Sequence, residues 1–275
     1  MAQQTKFFKK NILDLSLTYV TMTVTDAVAY DNGQSIINFV RNRNNTSAWL
    51  TTESTDAANT EILAEFGVGR DVTDILLVKH NWKAFTIQYW NSDLLAWDDF
   101  STPIAETANA ETTSHFEFDR VETDKIRIII TGCQIADADK ELYQLIVTEK
   151  VGGGSLEGWP LIKNPTHDKN KKITKMLSGK INCLESVGAF TADLEVANWK
   201  SANDLAIVED IYFRREGVLM WLCGGDESQF SYAAQGYRKE DIYFVRPTNN
   251  YEPEWAKGLY TSGLKIQMKF AEAIE

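Results

Sequence analysis

Residues 75–100 constrain the fold of this chain more than any other stretch. They contain two apolar runs, Ile75–Val78 and Phe85–Trp90, with turn residues after each. Both runs are rich in β-branched and aromatic residues, which favours buried β-strands. A third run, Lys125–Thr131, has the same character. Together they predict antiparallel strands that share one hydrophobic core.

Alternating apolar and polar side chains extend this strand pattern through the first 150 residues. Leu13–Val20 and Thr21–Val24 show the period of two that is typical of a half-buried strand. Several short strands joined by Asn, Asp, Gly and Ser turns indicate an antiparallel sandwich. We therefore expect residues 1–150 to form a jelly-roll β-sandwich without a helix longer than one or two turns. Further strands are predicted at Glu61–Phe66, His115–Phe118 and Leu142–Val147.

Three consecutive glycines, Gly152 to Gly154, mark the end of this pattern. Glycines lose much conformational entropy in a regular element, so residues 151–172 are predicted to be a linker. The second domain is expected at residues 173–275. Its strands surround Ser201–Glu216, where apolar residues recur near helical spacing before Gly217, a residue typical of a helix end. The prediction is a small β-sandwich with one flanking helix.

Charge and cysteine content narrow the classes of partner. The 39 acidic and 28 basic residues give a formal net charge of −11, which opposes attraction to nucleic acid and to anionic membranes. Cys133, Cys183 and Cys223 stand far apart and are expected to be reduced core residues. No run approaches the roughly 20 apolar residues of a membrane span, and the first residues lack the apolar segment of a signal peptide. We expect no nucleic-acid partner, no membrane insertion and synthesis in a cytosol.

Catalytic and metal-binding motifs are weak in this sequence. His80, His115 and His167 are scattered, without the spacing of metal ligands on one helix or hairpin. Neither a nucleophile elbow nor a phosphate-binding glycine loop is present. The sequence therefore predicts a protein that is not an enzyme and has no metal site and no cofactor.

Pairs of acidic residues leave two other functions open, glycoside hydrolysis and calcium binding. Asp98 and Asp99, or Asp137 and Asp139, have the residue types of a glycosidase carboxylate pair. Neighbouring residues on a strand point to opposite faces, which favours solvated acids at Asp98 and Asp99. Turn carbonyls with an aspartate also suit calcium. A calcium ion in the loop Tyr30–Gly33 or at the turn Asp137–Asp139 is the second alternative.

Aromatic residues in loops are the best candidates for ligand contact. An exposed tryptophan offers a sugar ring an apolar face, while neighbouring polar side chains bond its hydroxyls. The segment Arg41–Trp49 has this composition, and Trp82 follows a strand end. For Trp49 the alternative is packing beneath the sandwich, and Trp90 and Trp97 are expected in the core. The candidate ligand residues are Asn42, Arg43, Asn45, Trp49 and Trp82.

The order of these segments resembles the discoidin, or galactose-binding-like, domain over the first 150 residues. The resemblance lies in six segments taken in order, namely Asn44–Thr51, Ile62–Gly67, Ile75–Val78, Phe85–Trp90, Lys125–Ile128 and Glu141–Val147. It implies a jelly-roll sandwich that holds ligands at its loops. The bracketing disulfide of that family is missing, and the loop Ala105–Ser114 is long.

Across most of the chain, the sequence is also similar to structural proteins of tailed-bacteriophage tails. That similarity rests on the segments HNWKAFTIQYW, ADADKELYQLIVTEKVG, WLCGGDESQF and GYRKEDIYFV and on a closing IQMKF strand. It implies a distal-tail or baseplate protein of the virion, assembled in the host cytoplasm. Its partners would be copies of itself, other tail proteins and a host surface glycan. The alternative is a soluble carbohydrate-binding module or adhesin.

An assembling protein needs interface side chains, and aromatic residues with arginines are typical of interfaces. The second domain is rich in both. We expect it to form a ring, while the N-terminal sandwich faces outward. The candidate interface residues are Trp199, Arg214, Trp221, Tyr237, Arg238 and Trp255.

Overall fold

Antiparallel β-structure dominates the computed structural model, so the mainly β fold class is confirmed. Of the two segments with alternating side chains, Thr21–Val24 lies in a strand, whereas Leu13–Val20 forms turns and not the predicted strand. The structure describes residues 5–26, 32–43, 46–52, 58–153, 160–175, 181–199, 202–222, 239–256 and 263–273. The strands are β1 (Lys6–Phe8), β2 (Thr21–Asp26), β3 (Trp49–Leu50), β4 (Thr60–His80), β5 (Trp82–Asn91), β6 (Ala96–Asp98), β7 (Ile104–Glu106), β8 (Ser114–Cys133), β9 (Glu141–Thr148), β10 (Pro160–Lys175), β11 (Ile181–Trp199), β12 (Val218–Trp221), β13 (Ile242–Pro247), β14 (Glu254–Ala256) and β15 (Gly263–Glu272), with helix α1 at Ala202–Phe213.

The chain divides into two compact units, each with its own core. The sandwich unit comprises Lys9–Lys150 and the short segment 238–240. The sheet–helix unit comprises Met1–Phe8, Val151–Tyr237 and Asp241–Glu275. Among the residues that the structure describes, a search for helices able to span a membrane finds none.

The sandwich unit is built on two long antiparallel strands, β4 and β8. Near its start β4 pairs with β2, and near its end it pairs with β9, while β8 lies beside it along most of its length. The β4–β8 register shifts between Glu65 and Arg70, close to Gly67, whose φ of 74° is easy only for glycine. The same two strands therefore contribute to both layers around one core. That core includes Trp49, Trp82, Phe66, Phe85 and Ile128.

The remaining strands, β5, β6 and β7, continue the sheet on the side of β8 that faces away from β4. Strand β5 pairs with β8 on one side and with β6 and β7 on the other. Ile126, Ile128 and Ile130 of β8 point into the core, as do Phe85 and Ile87 of β5. Since strand side chains alternate, the residues between them lie on the outer face of this layer.

The sheet–helix unit packs α1 against a seven-stranded antiparallel sheet. The order β1-β12-β13-β15-β11-β10, with β14 on β15, joins the start of the chain to its second half. Phe7 of β1 is buried in the core with Ile207 and Ile211 of the helix and with Met268 and Phe270 of β15. This unit is therefore discontinuous in sequence, and the sandwich unit is inserted between β1 and Val151.

Three features differ in detail from the sequence-based boundaries. Residues 160–172, predicted as linker, lie in β10, and Lys6–Phe8 pairs with β12, not with a strand of the sandwich. The predicted helix is present at Ala202–Phe213, but Gly217 lies beyond its end, in the turn before β12, with a φ of 78°. These differences arise because pairing between strands that are far apart in the sequence determines which segments share a sheet.

Candidate functional site

Trp49 and Trp82, the two predicted sugar-stacking residues, are core residues of the sandwich unit. Both are 0% exposed, and their rings meet edge to face at 6.3 Å. The Trp49 indole N–H donates to the Asn32 carbonyl at 3.2 Å. The structure thus corrects the expectation of sugar contact for both and supports the alternative that Trp49 packs beneath the sandwich. Neither ring presents a face to solvent.

The polar residues predicted beside Trp49 have structural partners. Arg43 donates from Nε to Asp14 Oδ2 at 2.7 Å, and the Asn42 backbone N–H donates to the Phe39 carbonyl. Burial alone would raise the pKa of Asp14, but hydrogen bonds from Arg43 and Ser16 outweigh it and lower that pKa. Arg43 therefore anchors the segment to the sandwich. Asn45 lies outside the described residues.

Trp90 and Trp97, expected in the core, instead lie half-buried on the outer face of the sheet. They are directly opposite each other on β5 and β6, and their rings meet edge to face at 5.4 Å and 76°. The Arg127 guanidinium lies 4.6 Å from the centre of the Trp97 ring, a cation–π distance. Because Arg127 lies between the buried Ile126 and Ile128, it marks the outward side of β8.

A chain of hydrogen bonds holds the polar side chains beside these rings. Arg127 donates from Nε and Nη2 to Gln88 Oε1 at 2.9 and 2.6 Å. Gln88 donates from Nε2 to Asp99 Oδ1 at 2.8 Å. Amide, guanidinium and carboxylate groups are thus held in place next to two aromatic rings. We call the surface formed by Gln88, Trp90, Trp97, Asp99 and Arg127 the tryptophan face.

A polar groove of about 540 Å³ lies at the turn end of the β5–β6 hairpin, and none of the five residues of the tryptophan face lines it. The Thr123 hydroxyl donates to the Trp90 carbonyl at 2.9 Å and so links the groove wall to the hairpin. Asp124 Oδ1 is buried and has no hydrogen-bond partner among the described residues. A buried acceptor of this kind favours a ligand that donates a hydrogen bond. The groove is lined by Gly69, Tyr89, Asn91, Ser92, Asp93, Val121, Glu122, Thr123 and Asp124.

The acidic pairs considered for hydrolysis have separate structural roles. Asp98 accepts hydrogen bonds from the Asn91 side chain and the Asp99 backbone, and these lower its pKa. Asp99 instead accepts from Gln88 on the outer face. Asp137 lies in a turn with a φ of 57°, and the Asp139 carbonyl accepts from Asn81. None of these contacts arranges two carboxylates around a common reacting centre.

The loop proposed for calcium is only partly described. Tyr30 and Asp31 lie outside the described residues. Asn32 donates from Nδ2 to the Val24 carbonyl at 2.6 Å and accepts from the Gln34 backbone, so its side chain closes the loop. Calcium binding there, and at the Asp137 turn, stays a prediction.

The predicted interface residues of the sheet–helix unit differ in burial and in the contacts that they make. Trp221 is 1% exposed and belongs to the interior, which corrects its assignment to an interface. Arg214 forms an ion pair with Asp210 one helical turn earlier, at 2.7 and 2.8 Å. Trp199 lies in β11 and Trp255 in β14, both in register with Leu264 of β15. Tyr237 and Arg238 lie outside the described residues.

Strand parity is the sequence signal that identifies the tryptophan face. Phe85, Ile87 and Tyr89 point inward, so Trp90 points outward by alternation. Trp82 breaks this parity because the β5–β8 register shifts twice between Trp82 and Phe85. That irregularity is invisible in the sequence, which explains why the roles of Trp82 and Trp90 are reversed relative to expectation.

Comparison with known proteins gives likenesses of fold only. Neither a family model nor a curated protein matches the sequence. A GH29 fucosidase of Ruminococcus gnavus, solved with fucose, is 13% identical over 52% of this chain and 27% of its own, with a TM-score of 0.41. This chain therefore matches only about a quarter of that fucosidase.

Two shorter structures match about half of this chain. The family 32 carbohydrate-binding module of EndoD from Streptococcus pneumoniae is 16% identical over 51% of this chain and 100% of its own, with a TM-score of 0.41. Chitosan-binding module 1 of a chitosanase/glucanase from Paenibacillus sp. IK-5 is 16% identical over 50% of this chain and 98% of its own, with a TM-score of 0.38. The function of this chain has to be inferred from its own surface.

Proposed function

We propose that the sandwich unit is a non-catalytic carbohydrate-binding module whose glycan lies on the tryptophan face and extends to the groove at the turn of the same hairpin. The observation that carries the proposal is the outward-facing pair Trp90 and Trp97. Sugar rings stack on aromatic faces while side chains of fixed geometry bond their hydroxyls. Gln88, Arg127 and Asp99 are fixed in this way by their mutual hydrogen bonds. A surface that is already ordered loses little conformational entropy on binding.

The charge of the groove narrows the class of glycan. Asp93, Glu122 and Asp124 line it, and the whole chain carries a net charge of −11. Sialylated or sulfated sugars are repelled by this field. The buried Asp124 oxygen requires a donor, which a hydroxyl or an ammonium group supplies. The proposed ligand is therefore a neutral or amino-substituted glycan.

A glycan array followed by calorimetry on the full chain tests the proposal. We expect binding to neutral or amino sugars, and a loss of about tenfold in affinity for Trp90→Ala and for Trp97→Ala. Phe39→Ala is the matched control, because Phe39 is an aromatic residue of the same unit that is 39% exposed. An array without neutral or amino-sugar binding, on protein with wild-type circular dichroism, would refute the proposal.

A second candidate function, assembly with copies of the same chain, is favoured by the β10–β11 ribbon. Strand β11 pairs with β15 only from Thr191 onward, whereas β10 and β11 pair on to Lys175 and Ile181. Residues 167–175 and 181–190 thus form a two-stranded ribbon without another strand neighbour in the described part of the chain. An isolated ribbon is marginally stable in water, and its open edges are suited to strand addition.

The charge of the ribbon suits an acidic partner such as another copy of this chain. Its two strand segments carry four lysines and two acidic residues, which gives the ribbon a net charge of +2. Because the whole chain has a net charge of −11, the rest of the chain carries a net charge of −13. Opposite charges promote encounter between copies. The tail-protein resemblance makes the same prediction of a homo-oligomer, and a virion location stays part of this proposal.

Light scattering over a range of protein and salt concentrations tests assembly. We expect an oligomer that dissociates in high salt and in the variant Lys171→Glu/Lys172→Glu, while Lys171→Arg/Lys172→Arg assembles normally. A monomer under every condition would contradict assembly and leave the glycan proposal intact. Mass spectrometry of purified virions separately tests the tail location.

A further inference from the structure

We propose that Asp74, His115 and Glu117 of the sandwich unit form a binding site for a divalent transition-metal ion of the zinc type. One donor atom from each, an imidazole nitrogen and two carboxylate oxygens, lies within 4.8 Å of the other two. The cluster is separate from the tryptophan face and from the groove, and it was not predicted from the sequence.

Strand pairing creates the cluster. His115 and Glu117 are two residues apart on β8, so their side chains leave the same face of the strand. Asp74 of β4 is in register with Glu117 on the neighbouring strand. A shift in the β4–β8 register between Val72 and Asp74 sets this alignment. The three residue types are thus brought together by register, without any metal-binding spacing along the chain.

The buried carboxylate is already oriented toward the centre of the cluster. The Thr73 hydroxyl donates to Asp74 Oδ2 at 2.6 Å and accepts from the Lys150 backbone N–H at 2.9 Å. Asp74 Oδ1 then faces His115 Nε2 at 2.8 Å. Hydrogen bonds behind a metal ligand fix its orientation in this manner. Since the Asp74 side chain is 0% exposed, a cation held against its carboxylate compensates for the loss of hydration.

The exposure of the three side chains leaves a path for an ion and for water. It rises from 0% for Asp74 through 13% for His115 to 49% for Glu117. An ion entering on the Glu117 side would gain three protein ligands and retain an open position for water, the arrangement found in three-ligand zinc sites. One imidazole with two carboxylates suits zinc better than calcium, which takes six to eight oxygen ligands.

Only small side-chain movements are needed for coordination. Bonds of about 2.0–2.2 Å to a tetrahedral ion place its donors about 3.3 Å apart. Asp74 and His115 have to separate slightly from 2.8 Å, and Glu117 has to swing inward. Lys150 opposes this movement, because its Nζ forms an ion pair with Glu117 Oε1 at 2.5 Å. Removing the Lys150 charge should therefore strengthen metal binding.

Calorimetric titration of the full chain with zinc ions tests the site. We expect one zinc per chain, with affinity lower by about 10- to 100-fold or more in Glu117→Gln and His115→Gln, and by about 10- to 100-fold in Thr73→Val. Lys150→Gln should bind zinc more tightly than the wild type. Glu65→Gln is the matched control, since Glu65 is also a strand carboxylate paired with a lysine, Lys125, at 2.7 Å.

Folding of each variant is checked by circular dichroism, and Glu117→Gln is the variant least expected to disturb the fold because Glu117 is half exposed. Unchanged zinc affinity and stoichiometry in Glu117→Gln and His115→Gln would overturn the proposal. Weaker or equal binding in Lys150→Gln would do the same, because a merely structural ion pair gives no gain when it is removed.

Discussion

Among single residues, His80 shows how the sandwich core controls a titratable group. Its Nδ1 accepts from the Trp82 backbone N–H at 3.2 Å, so its Nε2 carries the proton and donates to the Ser114 hydroxyl at 2.9 Å. The ring is 3% exposed and packs edge to face on Phe85. Burial lowers the pKa of His80 from 6.5 to about 4. The neutral imidazole is therefore a structural part of the core.

This shift predicts a loss of stability in mild acid. In the unfolded chain His80 binds a proton as the pH falls below 6.5, whereas in the folded chain it does so only near pH 4. The stabilisation is complete above pH 6.5, and about 3 kcal/mol of it is lost as the pH falls to about 4. We expect His80→Asn to flatten the pH dependence of unfolding free energy in this window, measured with urea. Equal slopes for variant and wild type would contradict the assignment.

Truncation of the tryptophans should separate core from surface. Trp82→Ala should lower the free energy of unfolding by about 3–5 kcal/mol, because it leaves a cavity in the sandwich core. Trp90→Ala should cost much less, about 0.5–1.5 kcal/mol for its edge-to-face contact with Trp97 plus a partial burial term. Chemical denaturation of both variants measures the difference. Similar losses would contradict the placement of Trp90 on the outer face.

Among the elements, the β5–β6 hairpin has an unusual tip. Leu94 and Leu95 are 66% and 75% exposed, and Leu95 adopts a φ of 52°. This left-handed conformation is unfavourable for leucine by about 1–2 kcal/mol and is tolerated by asparagine and glycine. The tip therefore combines exposed apolar surface with local strain, next to the tryptophan face.

Relief of that strain is measurable. Leu95→Asn should raise the free energy of unfolding by about 0.5–1 kcal/mol. Leu94→Asn is the control, since the neighbouring leucine does not have a positive φ. Guanidinium denaturation of both variants checks the prediction. An equal gain at the two positions would show that lost surface hydrophobicity, not backbone strain, is responsible.

At the scale of the whole molecule, the chain folds as one unit inserted into another. The ends of the sandwich unit are adjacent, because the Lys9 backbone N–H donates to the Glu149 carbonyl at 2.8 Å. The chain leaves the sheet–helix unit after β1 and re-enters it at Val151. Adjacent termini make such an insertion compatible with both folds.

The insertion predicts that a mutation near the start of the chain affects the core of its second half. Phe7 is 4% exposed and its ring lies 5.7 Å from that of Phe270. Phe7→Ala should destabilise the sheet–helix unit by about 3–5 kcal/mol and leave the sandwich unit unchanged. Hydrogen exchange resolved by peptide measures each unit, with Phe39→Ala as an exposed control. Loss of protection in the sandwich unit alone would contradict the insertion.

The sequence by itself determined the mainly β class, the strands around residues 75–100 and 125–131, and the helix near 202–213, because these depend on local periodicity. Only the tertiary structure decided which tryptophans are buried, since register shifts in β4, β5 and β8 invert side-chain parity. Long-range pairing likewise decided that β1 belongs with β12 and that Asp74 meets His115 and Glu117. Register between distant strands is a property of the folded chain, which no local pattern encodes.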